Sequence, residues 1–170
     1  MTDAPLIVSL LLGQETQARF EAERAAHFPA GRTAVGAHVT LFHALPAALR
    51  DDVAEVLARA ATGPALTVRV QEVHSLGRGV AYRLACPALA RLHAQWQERW
   101  REHLTRQDAQ PLRLHVTVQN KVTGAEARRT LVHLRDGFEP WTTPGVALEL
   151  WRYDGGPWTH LERFDLAERD

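Results

Sequence analysis

HVTLF at residues 38–42 and HVTVQ at residues 115–119 carry the same tripeptide, His-Val-Thr, and the reading of these two stretches decides the fold. With 9 histidines, 14 valines and 13 threonines in 170 residues, shuffling would yield about 0.06 copies of the tripeptide, so two are not a product of composition. Side chains of a β-strand alternate between its faces. In the second copy Leu112, Leu114, Val116 and Val118 then point one way, and Arg113, His115, Thr117 and Gln119 the other. The first face is core, and the second meets solvent or a ligand. In the first copy Val39 and Leu41 share the core side, with His38, Thr40 and Phe42 opposite. Each strand thus sets a histidine beside a threonine, about 7 Å apart along the chain.

The flanking chain repeats in pattern. Leu6–Leu12 is an apolar run of strand length, followed by a helix over Gln14–His27 and a Pro/Gly-bearing loop over Phe28–Gly36. After the first HVT strand, Leu49, Val53, Val56, Leu57 and Ala60 form one helical stripe. Strands are predicted over Leu66–His74 and Val80–Ala85, around the turn Leu76-Gly77-Arg78-Gly79. Pro87 then opens a helix with Leu89, Leu92, Trp96, Trp100 and Leu104 on one face. The polar loop Thr105–Gln110 leads to the second HVT strand, Leu112–Gln119. Thr123 and Glu126 make a capping box for a helix to Arg135, and Val146–Tyr153 and Trp158–Asp165 form a last hairpin.

Each half reads helix, HVT strand, helix, strand, strand. The fold expected is α+β: a single domain over 1–170 with two similar lobes, about 1–86 and 87–170, related by a pseudo-twofold axis. Strands can exchange between the lobes. Antiparallel sheets surround a central cleft, with helices outside.

Composition narrows the classes of function. Charged residues balance to a formal net charge of zero, which argues against duplex DNA as a partner. Of the 20 basic residues 19 are arginine, and the single lysine is Lys121, just past the second HVT. Cys86 is the lone cysteine. It permits no internal disulfide and no cysteine-based zinc site, as expected for the reducing cytoplasm. The run Pro5–Leu12 is too short to span a bilayer and follows the acidic Asp3, so it reads as a buried strand, with no membrane partner expected.

Two His/Thr pairs facing each other supply four donors around one tetrahedral phosphate, and an acid and a base on opposite sides of it. In-line displacement at phosphorus uses that arrangement, with one group activating the nucleophile and the other protonating the leaving oxygen. No metal or other cofactor is required.

HVTL at 38–41 and HVTV at 115–118 resemble the signature of the 2H phosphoesterase superfamily, two His-x-Thr/Ser motifs each followed by a hydrophobic residue. That superfamily includes bacterial 2′-5′ RNA ligase and cyclic phosphodiesterase enzymes. The resemblance covers nearly the whole chain and implies a two-lobed α+β fold. It also implies a metal-independent enzyme, expected as a monomer, acting on a nucleotide or RNA end that carries a 2′,3′-cyclic phosphate, or on 2′-5′ linkages. By position His38 and His115 would be acid and base, and Thr40 and Thr117 would hold the phosphate. Many members have a basic residue shortly after the second motif; Arg113 and Lys121 are the nearest here.

Three further assignments follow from the residues. Phe42, sharing a face with His38 and Thr40, is the candidate to stack on a base. Arg113 shares a face with His115 and can meet either phosphate or solvent. His43 lies an odd number of positions from His38 and should face away, which leaves a two-histidine zinc site short of a third ligand. The other histidines (27, 74, 93, 103, 133 and 160), and the aromatics Trp151, Tyr153 and Trp158, read as structural or surface. The rival to catalysis is a protein of the same fold that binds a nucleotide without turning it over.

Overall fold

A computed structural model describes residues 3–31 and 35–168; part of the expected loop over 28–36 thus lies outside the described residues. The elements, in chain order, are β1 (Leu6–Leu12), α1 (Gln14–His27), β2 (Val39–Leu45), α2 (Arg50–Ala61), β3 (Leu66–Ser75) and β4 (Val80–Ala85), then α3 (Pro87–Arg99), β5 (His115–Gln119), α4 (Gly124–Arg135), β6 (Trp141–Tyr153) and β7 (Trp158–Asp165). Every strand pairing is antiparallel. The fold is α+β, as expected.

The seven strands form one sheet in the order β2-β1-β6-β3-β4-β5, with β7 also on β6. The 13-residue β6 is its hub. One edge of β6 pairs with β1 throughout, from Gly145 to Arg152. Its other edge pairs first with β3, over Trp141–Gly145, and then with β7, over Ala147–Tyr153. The pairing crosses the chain's midpoint. β6 and β7 complete the group of β1 and β2, while β5 joins β3 and β4. In each group the HVT strand, β2 or β5, is the outer one.

β6 begins five residues earlier than Val146. Thr-Thr-Pro-Gly at 142–145 carries residues that usually end strands, yet Thr142–Gly145 pair with Leu66–Arg69. Conversely, β5 begins only at His115. The helices fall where the apolar stripes place them, except that α3 ends at Arg99, short of the Trp100 and Leu104 that its stripe included. Val53, Val56 and Leu57 are buried on α2, and Leu89 and Trp96 on α3. The α4 cap is formed, with Glu126 N–H donating to Thr123 Oγ1 at 3.1 Å.

Although β2 and β5 end the strand order, they touch each other. The sheet therefore curls until its two outer strands meet. Helix α1 packs along β5, covering an edge that would otherwise present unpaired backbone groups. Phe20 of α1 sits 4.9 Å from the Tyr82 ring, and both are fully buried. Among the described residues no helix is long and apolar enough to cross a membrane.

Candidate active site

The two HVT strands are alike in three details beyond their letters. First, each histidine is tied to its own backbone. His38 Nδ1 lies 2.7 Å from the Gly36 carbonyl, and His115 Nδ1 lies 2.8 Å from the Arg113 carbonyl, two residues back in both cases. A carbonyl only accepts, so Nδ1 carries the proton in both rings and Nε2 is the remaining polar atom.

Second, each threonine stands opposite a small residue. Thr40 pairs with Ser9 and Thr117 with Ala81. Side chains directly across an antiparallel pair share a face, and Thr40, Ser9 and Ala81 are all buried.

Third, each strand bulges immediately after its threonine. The β1–β2 register runs from Ser9↔Thr40 to Val8↔Phe42, so Leu41 is the extra residue. The β4–β5 register runs from Ala81↔Thr117 to Val80↔Gln119, so Val118 is the extra one. A bulge resets the alternation, turning the following residue to the opposite face. Two sequence-based assignments are corrected by this. Phe42 does not face the cleft. It is fully buried, stacked 4.5 Å from the His93 ring and edge-on to Trp100 at 5.3 Å, and no base can reach it. Gln119 is likewise buried and donates to Thr130 Oγ1 at 2.8 Å.

The same reset after Leu41 changes the place of His43, the residue after Phe42. It does not face away. Its ring lines a cavity of about 330 Å³ with Thr40, Arg113 and His115. A neighbouring cavity of about 650 Å³ is lined by His74, Arg83, Arg113 and His115. Arg113 and His115 thus stand at the junction of the two hollows. Lys121, in the turn beyond β5 with φ of 62°, lines neither.

Burial holds the His38 imidazole below its ordinary pKa, and the charges of Arg24, His115 and His43 push the same way; the Gly36 carbonyl opposes them. His38 is therefore neutral near neutral pH, with Nε2 able to accept a proton. Arg24 is buried on α1 and donates to the Thr117 carbonyl at 2.6 Å, so it serves the second copy structurally and the first electrostatically. His74 is also held low, by burial first and then by Arg83 and His115.

Sequence reading missed several of these neighbours. The Trp158 ring lies 4.7 Å from that of His38, in a cluster with Trp151, whose Nε1–H donates to Ser9 Oγ at 2.8 Å. Trp158 opens β7, a strand that neither HVT stretch predicts as a neighbour. Arg24 has the look of any basic residue in the last turn of a polar helix. Only the capping of β5 by α1 gives it a role. Among the described residues no three His, Cys, Asp or Glu side chains converge to hold a metal ion.

The model of the 2′-5′ RNA ligase superfamily matches residues 13–157. The structure of TT0787 from Thermus thermophilus is similar at 19% identity, covering 95% of this chain and 97% of that one, with a TM-score of 0.66. Escherichia coli LigT complexed with 3′-AMP is similar at 19% identity, covering 97% and 99%, with a TM-score of 0.62. A crystal structure described as a phosphoesterase is similar at 19% identity and a TM-score of 0.61, covering 97% and 99%. No curated protein sequence matches the chain. At these identities the structures speak for the fold, and the family model, spanning most of the sequence and both HVT motifs, decides membership: the chain belongs to the 2′-5′ RNA ligase superfamily, the 2H phosphoesterases.

Proposed function

We propose that this protein is a metal-independent phosphoesterase. It acts on 2′,3′-cyclic phosphates of nucleotides or RNA ends, or on 2′-5′ linkages, with His38 and His115 as its acid–base pair. The observation that carries the reading is the shared construction of the two motifs. Each imidazole is fixed through Nδ1 to a carbonyl two residues back and stands beside a threonine across from a small residue. Such preorganisation supports proton transfer at Nε2 from two sides. Membership of the superfamily supports phosphoester chemistry. LigT, a structural relative, is known in complex with 3′-AMP, which supports a nucleotide as the ligand.

In ring opening, water attacks phosphorus in line with the leaving ribose oxygen. His38, held neutral by its surroundings, takes the water proton at Nε2. His115 gives a proton to the departing oxygen, and the product is a phosphomonoester with a free hydroxyl. The Thr40 and Thr117 hydroxyls donate to the non-bridging oxygens, and Arg113 adds a positive charge beside His115. Trp158, next to His38, offers an aromatic face to the nucleoside. With the hydroxyl of a second RNA end in place of water as the nucleophile, the same ring opening joins the two ends: the new P–O bond forms as the bond to the leaving ribose oxygen breaks.

The test is turnover of 2′,3′-cyclic mononucleotides by the purified protein in EDTA. Hydrolysis that persists in the chelator and falls at least about a hundredfold in both His38→Ala and His115→Ala is the expected result. Full activity in either variant contradicts the two-histidine mechanism. Nucleotide affinity without turnover would identify a binding protein instead.

A further inference from the structure

The pseudo-twofold symmetry of the two motifs breaks at the fifth position after the histidine. The second copy has Asn120, whose side chain accepts the backbone N–H of Lys121 at 2.9 Å. The first has His43, held by a buried carboxylate. Asp108, 3% exposed, comes from the loop between α3 and β5. It accepts the His43 backbone N–H at 2.8 Å, the Ala44 N–H at 2.9 Å and the His43 Nδ1–H at 3.0 Å. The loop holds Asp108 in turn. Its N–H donates to Thr105 Oγ1 at 3.2 Å, and its carbonyl accepts from Gln97 Nε2 at 2.9 Å.

These bonds lower the Asp108 carboxyl below its ordinary pKa against the opposing effect of burial. The carboxylate is therefore ionised through the neutral range. Two backbone N–H groups already satisfy much of it, and the third bond also fixes a ring. With Nδ1–H given to Asp108, the remaining polar atom of His43 is Nε2. The ring is 38% exposed and borders the hollow that contains Thr40, Arg113 and His115.

We propose that His43 is a third imidazole of the site, binding a phosphoryl oxygen of the substrate through Nε2 as a cation held by Asp108. The idea deepens the phosphoesterase reading and rests on it. Neutral Nε2 only accepts, and so do phosphoryl oxygens, so the contact requires a proton on Nε2. An imidazolium between a carboxylate and a phosphate is favoured by both neighbours. The groups facing His43 are Asp108 from the loop, His93 from α3, Arg113 and His115 at the start of β5, and His38 ahead of β2. Arg113, the fixed cation among them, opposes charge on the ring, and a bound phosphate offsets that opposition. Phosphate binding therefore brings a proton with it, and affinity declines as pH rises above the ordinary histidine range.

The test is an NMR titration of the full chain, with ring-labelled histidines, against inorganic phosphate. The expected result is that His38, His115 and His43 resonances move together, with His43 acquiring imidazolium shifts in the complex. His43→Gln, which keeps a donor but no positive charge, should weaken phosphate binding about tenfold or more and flatten its pH dependence. If His38 and His115 respond while His43 stays unmoved, His43 is only a latch for the loop and the proposal is overturned. If none of the three responds, the phosphate reading of the cleft fails, and this proposal with it.

Discussion

Arg24 donates to the Thr117 carbonyl across 2.6 Å, linking the last turn of α1 to the middle of the second HVT strand. The same guanidinium contributes to holding His38 below its ordinary pKa. One buried cation thus braces one motif and tunes the other.

Arg24→Met separates these effects. Loss of a charge-assisted bond to the edge of β5 should lower stability by about 1.5–3 kcal/mol, measured by denaturant unfolding. Loss of the charge lets His38 take up a proton more easily, so the acidic limb of kcat/KM should move to higher pH. Arg24→Lys keeps the charge without the planar fork. It should retain the position of the limb while losing part of the stability. A limb that stays fixed in Arg24→Met would show that Arg24 does not tune His38.

Phe42 gives the sharpest contrast between strand alternation and the folded protein. Phe42→Ala should cost about 3–5 kcal/mol, as for other buried aromatic truncations, because the side chain packs between His93 and Trp100. At temperatures where the variant remains folded, its KM for a cyclic nucleotide should match that of the parent. A raised KM with unchanged stability would mean that the ring touches the base after all.

Much of the fold is legible because local pattern and tertiary environment agree. Leu6–Leu12 and Gln14–His27 have the predicted limits, as a continuous apolar run and a polar helix leave few alternatives. The failures share a cause. Period-two alternation assumes an unbroken register, and both HVT strands bulge directly after the threonine. Hence alternation can assign a face to His38, Thr40, His115 and Thr117, whereas it gives Phe42, His43 and Gln119, just beyond the bulges, the wrong one. Asp108 reads as a loop residue, since nothing local reveals that β2, 65 positions away, turns two backbone N–H groups toward it. Pro144 and Gly145 read as a break, although at the point where β6 changes partners from β3 to β7 they continue the strand.

Asp52 should govern part of the acid stability. It accepts from Arg99 Nη2 at 2.5 Å and from Trp100 Nε1 at 2.7 Å, joining α2 to the end of α3. The Arg99 and Trp100 bonds, in that order, depress its carboxyl from 3.8 to about 2. A carboxyl lowered on folding contributes stability above its unfolded pKa and loses it as pH falls toward the folded value. Asp52→Asn should therefore melt below the parent at neutral pH, and the gap should close between about pH 4 and pH 2. A gap independent of pH would assign the effect to packing.

The central claim is that two imidazoles on facing strands act as base and acid on one phosphoester. The most direct measurement is kcat/KM against pH for a 2′,3′-cyclic nucleotide, in the parent and in the two single variants. The account expects a bell-shaped profile in the parent, loss of the acidic limb in His38→Ala and loss of the alkaline limb in His115→Ala. A parent profile that is flat across neutral pH, or two variants that each keep both limbs, would contradict it.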